Sequence, residues 1–224
     1  MNTSSNVLIF DTETTDIIFP VLIEAAGIYI EGSPFDEQNN FFIQRYNPEK
    51  PISYGAMAIH NILDEELLDC PKSSEFKLDE NIKYIIGHNI DFDWSVISKP
   101  DVKRIDTCAM AKAVFPEIDS HSLASLSYAL CEPSNRKKLR ETLKTSHNAL
   151  TDAKLCLNLL RKILIKKDLH KWSDIYSFSE EARIPKAMPF GKYKGTSIKD
   201  IPPDYKEWLK KQPDIDEYLL KALN

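Results

Sequence analysis

Short apolar runs in the first half of the chain predict the strands of a sheet. Each is bounded by turn-forming residues such as the segment Glu31–Pro34. Runs of this length, rich in β-branched and aromatic residues, are typical of strands. The five predicted strands are Val7–Phe10, Val21–Ile30, Phe41–Arg45, Tyr84–Gly87 and Arg104–Thr107.

Apolar residues recur at helical spacing between and after these runs. The most regular segment covers 149–166, where Leu155, Leu159 and Ile163 fall close to one face. Shorter helical segments are predicted at 53–59, 64–68, 91–98, 109–115, 122–130 and from about Tyr205. This mixture of strands and helices predicts an α/β fold.

The pattern breaks over 180–189, a segment with two prolines and no apolar periodicity. We therefore predict a main domain at 1–179, a linker at 180–189 and a small C-terminal module at 190–224. A module of that size is too short for a large independent core. We expect it to dock on the main domain.

The composition is that of a folded protein, with 42% hydrophobic residues and a net charge of −5. This charge excludes a generally basic wrapper of nucleic acid, so a polyanion would have to be held locally. The longest apolar runs are shorter than the roughly 18 residues of a membrane span, and no basic-then-apolar leader is visible. We expect a cytoplasmic protein without a membrane partner. The four cysteines form no CxxC pair, and we assign them no role.

Acidic residues mark three places in this pattern. Asp11 and Glu13 end the first strand, and residues two apart on a strand face the same side. Asp93 opens a predicted helix after the Tyr84–Gly87 strand, and Asp152 follows His147 at the start of the long helix. Taken singly, these residues have ordinary alternatives, since acids cap helices and offset their dipoles, and His147 fits an exposed loop.

Taken together, four acids and one histidine can converge on one pocket. Hard divalent cations such as Mg²⁺ or Mn²⁺ prefer carboxylate oxygens, and two such ions would clamp the attacking and leaving oxygens of a phosphoryl displacement. The pKa of an ordinary histidine, near ~6.5, suits His147 to act as the general base. The sequence predicts a two-metal phosphodiester hydrolase.

The order DxE, HNxxFD and HxAxxD resembles the DEDDh family of 3′-to-5′ exonucleases over roughly residues 6–165. The resemblance implies a ribonuclease H-like fold, with a mixed five-stranded sheet flanked by helices. It also implies that Asp11, Glu13, Asp93 and Asp152 are catalytic metal ligands and that His147 is the base. Asn148 stands where a sister group has tyrosine, whereas Asp16 replaces a common glycine and puts the shape of that loop in doubt.

Three further segments are similar to the exodeoxyribonuclease X group of that family: 51–62, 105–112 and Phe190–Gly195. The similarity favours DNA as the substrate, cut at the 3′ ends of single strands or duplexes. A 3′-to-5′ exoribonuclease is the nearest alternative, because the same acids process RNA ends in related enzymes. A binding protein without catalysis is a further alternative, which predicts a broken motif, whereas all four acids and the histidine are present.

The resemblance also implies substrate-binding residues: Thr12, Thr14, Ile17, Ile59, His60 and Asn89. Ile17 and Ile18 are expected to wedge against the terminal base, although isoleucines are also common in cores. The basic segment Arg136–Arg140, with Lys144, either neutralises incoming phosphates or is a solvated loop. Lys192, Tyr193, Lys194 and Trp208 are further candidates for DNA contact in the module.

Overall fold

A computed structural model of the chain describes residues 6–144 and 148–224. Five strands form one sheet in the order β3-β2-β1-β4-β5. The strands are β1 (Val7–Thr14), β2 (Leu22–Tyr29), β3 (Phe41–Arg45), β4 (Tyr84–Gly87) and β5 (Lys103–Asp106). The first three pair antiparallel, whereas β1–β4 and β4–β5 pair parallel. The sheet is mixed, with β1 at its centre.

Helices cover both faces of this sheet. Their bounds are α1 (Tyr54–His60), α2 (Asp91–Val96), α3 (Thr107–Val114), α4 (Leu123–Ala129), α5 (Arg136–Lys144), α6 (Ala149–Lys167), α7 (Trp172–Arg183), α8 (Pro203–Lys210) and α9 (Glu217–Leu223). Short 3₁₀ turns lie at Asp64–Leu67, Ser73–Glu75, Pro133–Asn135 and Ile198–Asp200.

The two faces of β1 belong to two different cores. Val7 and Ile9 point into a core built with α3, α4, α6 and α7. Leu8 and Phe10 point into a second core, against which Trp94 of α2 packs. This alternation decides which helix each polar residue further along β1 meets.

Two elements of the main domain differ from the predictions. Arg136–Lys144 forms a helix, so the loop alternative for this segment is wrong. Helix α7 was not predicted; it buries Ile175 against the sheet-covering helices and runs to Arg183, inside the segment predicted as a linker. The wider division into domain, linker and module stays a prediction.

The C-terminal module has a small core, formed by Ile198, Ile201, Leu209, Leu219 and Leu223 together with Met188 from the predicted linker. It also contacts the main domain through charged side chains. Arg104 of β5 pairs with Glu217 at 2.9 Å, and Arg183 contacts Tyr218. The module is therefore anchored beside β5 and α7.

No helix within residues 6–144 and 148–224 is both long and apolar enough to cross a membrane.

Candidate metal centre and substrate groove

Three carboxylates meet where β1 passes the start of α6. Asp11 and Glu13 continue the face of Val7 and Ile9, which is the face covered by α6. Asp152 lies in the first turn of that helix, as its position in the sequence predicts. Ligand oxygens of Asp11, Glu13 and Asp152 all lie within 4.8 Å of one another. We call these three residues the acid cluster.

Asp93 lies at the edge of β1 that faces away from β2. Pairing between β1 and β4 ends at Ile9 and Ile86, so beyond Ile9 that edge of β1 has no paired strand among the described residues, although β2 still pairs with the other edge. The Asp93 carboxylate takes that place, accepting hydrogen bonds from the Thr12 N–H at 2.9 Å and the Thr12 hydroxyl at 2.7 Å. One oxygen of Asp93 therefore accepts both hydrogen bonds from Thr12, while the charge of Asp93 also raises the pKa of Asp11.

Burial and mutual repulsion make these acids hard to ionise. The pKa of Asp11 is raised well above its ordinary value, first by burial and then by the charges of Asp93 and Asp152. Burial and the charges of Asp152 and Glu24 raise the pKa of Glu13 to about 8. Burial also raises the pKa of Asp93 to about 7, against the hydrogen bonds from Thr12 that lower it.

The acid cluster fits a hard divalent cation. Its donors are all carboxylate oxygens, which Mg²⁺ and Mn²⁺ prefer. A bound cation would reverse the unfavourable electrostatics, because nearby like charges then become ligands of one positive ion. Asp11, Glu13 and Asp152 are the residues that could share it directly, with Asp93 adjacent.

An apolar groove of about 300 Å³ opens next to these acids. Ile17 is 79% exposed and Ile59 is 54% exposed. The alternative that these isoleucines belong to the core is therefore wrong, and the same holds for the exposed Ile18. The groove brings together the predicted residues Thr12, Thr14, Ile17, Ile59 and His60, and it also contains Glu13, Asp16, Ser53, Gly55, Ala56 and Phe92.

Two predicted substrate residues have clear structural partners. His60 is buried, its Nδ1 accepts the Ile62 N–H at 3.0 Å, and burial lowers its pKa. Asn89 lies outside the groove lining, with a left-handed backbone (φ 65°) and its N–H on Asp106 at 3.1 Å. The turn-forming reading of Asn89 thus has direct support, whereas the substrate roles of both residues stay predictions.

The predicted base, His147, lies outside the described residues. The next residue, Asn148, caps α6 by accepting the Thr151 N–H at 2.9 Å. Upstream, the exposed helix α5 presents the basic residues of Arg136–Arg140 and Lys144, two of which pair with Glu141. Its contact with phosphates stays a prediction.

Sequence reasoning missed three residues at this site. Phe92 lines the groove, and in the sequence it stands between Asp91 and Asp93 at the predicted helix start. Glu24 is buried on β2 directly opposite Glu13, and it pairs with Arg45 on β3. A signal for Glu24 was present, because it is the one charged residue in the apolar run Val21–Ile30.

A family model described as "Putative quorum-sensing-regulated virulence factor" matches residues 181–214. This match covers the end of α7 and most of the C-terminal module. It does not reach the acids.

Curated relatives match most of the chain. The DNA polymerase III PolC-type of Bacillus cereus (strain ATCC 14579) is 28% identical over 172 residues, which make up 70% of this chain and 11% of that protein. The chain thus spans about a tenth of the length of the PolC-type relatives it matches. Exodeoxyribonuclease 10 of Escherichia coli (strain K12) is 24% identical over 207 residues, covering 90% of this chain and 89% of that protein.

A solved structure, Exonuclease X in complex with 5′ overhanging duplex DNA, superposes with a TM-score of 0.60 at 22% identity. The match covers 77% of this chain and 99% of that one. The predicted ribonuclease H-like fold is therefore confirmed, and so is the resemblance to the DEDDh exonucleases. The roles of individual residues stay predictions.

Proposed function

We propose that the chain is a metal-dependent 3′-to-5′ exodeoxyribonuclease that releases nucleoside 5′-monophosphates from single strands and duplex ends. The observation that carries this proposal is the acid cluster, three carboxylates within 4.8 Å of one another beside an apolar groove. The relatives named exodeoxyribonuclease 10 and Exonuclease X, the latter in complex with DNA, support it. DNA 3′ ends are the proposed partner.

Asp11, Glu13, Asp93 and Asp152 would hold two divalent cations, Mg²⁺ or Mn²⁺. When bound, these ions supply positive charge to the phosphate and lower the pKa of a coordinated water. The carboxylates bring the negative charge that retains them.

The groove would hold the terminal nucleotide. Ile17, Ile59 and Phe92 offer apolar surface on which a terminal base can stack, and stacking of this kind tolerates any base. Thr12 and Thr14 line the same groove, and they would contact the sugar and phosphate of that nucleotide. His147 would accept the proton of the attacking water, because a neutral imidazole is available near pH 7.

The first test is digestion of matched DNA and RNA oligonucleotides labelled at the 5′ end, with Mg²⁺ or with EDTA. Wild type is compared with Asp11→Asn. We expect a metal-dependent ladder that shortens from the 3′ end of DNA and is absent in the variant. A ladder on RNA alone would keep the chemistry and overturn the substrate. Cleavage of neither would overturn the proposed activity in favour of a binding role.

A further inference from the structure

The Glu24 carboxylate is a buried charge beside the acid cluster. It is only 2% exposed, and the register of β1 and β2 places it directly opposite Glu13. A fourth acid here is unfavourable, because its charge raises the pKa of both Glu13 and Asp11. A buried charge of this kind needs compensating partners.

Both oxygens of Glu24 have such partners. Oε2 accepts a hydrogen bond from the Arg45 Nε at 3.1 Å, and Arg45 in turn reaches Glu66 at 3.4 Å. Oε1 accepts the backbone N–H of Ala149 at 3.1 Å. With one oxygen on a guanidinium and the other on a main-chain amide, Glu24 joins three elements of the fold.

Ala149 is the first residue of α6, where backbone N–H groups have no partner within the helix. The positive end of the helix dipole favours an anion at this point. Asn148 already satisfies the Thr151 N–H, so Glu24 and Asn148 share the free donors of the first turn. Asp152 lies in that same turn and meets Asp11 and Glu13.

We propose that Glu24 is a positioning residue, which fixes the start of α6 to the sheet and thereby holds Asp152 against Asp11 and Glu13. This inference rests on the proposed function, in which these three carboxylates bind the cation. Glu24 lies outside the acid cluster, and its two oxygens are directed to the Arg45 guanidinium and the Ala149 N–H. Arg45 acts through Glu24, by neutralising its charge and fixing its orientation.

The test is calorimetric titration with Mn²⁺ alone, so that it does not depend on nuclease activity. Glu24→Leu removes both contacts, and we expect Mn²⁺ to bind roughly 10- to 100-fold more weakly, as for other residues that orient metal ligands. Glu24→Gln keeps an acceptor for the Ala149 N–H and should recover part of that loss. Glu31→Gln is the matched control, since it removes the same charge from the exposed segment after β2 and should leave binding unchanged.

Arg45→Gln separates positioning from simple charge. Removing a cation near the acid cluster would strengthen Mn²⁺ binding if only charge mattered. Positioning predicts the opposite sign, a weaker binding of about tenfold, together with faster hydrogen exchange at the amides of 149–152. Arg45→Gln binding Mn²⁺ as tightly as wild type, or more tightly, would overturn the proposal, as would unchanged binding by folded Glu24→Leu. If wild type binds Mn²⁺ yet cleaves no DNA, the proposed function fails while this test still stands.

Discussion

The acid cluster and the junction between α7 and the C-terminal module both hold partly buried charged side chains, but the junction pairs opposite charges whereas the acid cluster brings like charges together. At the junction, Arg183 is 3% exposed, lies 3.4 Å from Asp91 and also contacts Tyr218. Arg104 bridges Asp91 at 2.6 Å and Glu217 at 2.9 Å. At the acid cluster, every charge that acts on Asp11 is negative.

The difference separates a structural from a functional use of buried charge. The cations of the junction are paired with carboxylates of the protein itself, and these pairs hold two parts of the chain together. The acid cluster stays unfavourable until something positive arrives. Such imbalance in a cleft is the usual sign of a binding or catalytic site.

Removing one acid should give the largest effect. Asp11→Asn or Asp152→Asn takes a charged ligand from the proposed cation, so we expect turnover to fall at least roughly 10³-fold. The metal-free variant should also melt at a higher temperature than wild type, since repulsion is relieved. Single-turnover digestion of labelled DNA and a thermal melt measure the two effects. A rate above about a tenth of wild type would refute the metal assignment.

Removing the predicted base tests whether proton transfer and cation binding depend on different residues. His147→Ala should slow DNA hydrolysis by roughly 10²- to 10⁴-fold, the usual contribution of a general base. Metal binding should persist, because the carboxylates are intact. Rates and calorimetric Mn²⁺ binding are compared with wild type. Loss of Mn²⁺ binding in this variant would contradict a role limited to the proton.

The pH dependence of stability should differ with and without metal. Groups whose pKa is raised on folding, such as Glu13 at about 8, bind more protons when folded. The metal-free protein should therefore lose stability as pH rises from about 5 through 8. Added Mg²⁺ should raise the melting temperature more at pH 8.5 than at pH 6, since protons no longer compete. Equal Mg²⁺ shifts at the two pH values would contradict this account.

Disturbing the junction should cost stability while sparing the acid cluster. Arg183→Met removes the buried cation that Asp91 and Glu180 share, although Arg104 and Lys221 still pair with these acids, and we expect a loss of roughly 1–3 kcal/mol. Lys221→Ala is the control, because this half-exposed pair with Glu180 should contribute about 1 kcal/mol or less. Denaturant unfolding measures both variants. Weaker Mn²⁺ binding by folded Arg183→Met would break the distinction between the two regions.

The smallest effect is expected from the exposed aromatic and basic side chains of the module. Trp208 is 53% exposed and stacks beside Tyr205 at 5.3 Å. If it contacts a base, Trp208→Ala should weaken DNA binding by roughly 1 kcal/mol, and removing Lys192 and Lys194 should lower the salt dependence. Fluorescence anisotropy with single-stranded DNA measures this. Unchanged affinity would leave the module with its anchoring contacts alone.

Much of this architecture follows from the sequence because β1, β2 and β4 coincide with short runs that are mainly apolar. Alternation along β1 correctly placed Asp11 and Glu13 on one side, and the first-turn position of Asp152 also followed. The partner of Asp93 could not be predicted, since it depends on where β4 stops pairing with β1. Helix α5 was missed because its apolar residues, Leu139 and Leu143, are too few to show a periodicity.

Contacts between distant segments account for the remaining differences. Glu24 and Ala149 are 125 positions apart, and no pattern in the sequence indicates that the Ala149 N–H donates to the Glu24 carboxylate. Likewise, Arg183 lies in a segment whose sequence predicts a linker, because its contacts with Tyr218 and Asp91 come from distant parts of the chain.

The early end of β4 has a consequence for solubility. Beyond Ile9, one side of β1 is a strand edge, and edges of this kind can recruit strands from other molecules. The Asp93 carboxylate accepts the Thr12 N–H and so takes the place that a further strand would occupy on that edge. Asp93→Ala would free the donor, so this variant should associate at high concentration, whereas Asp152→Ala should stay monodisperse in light scattering.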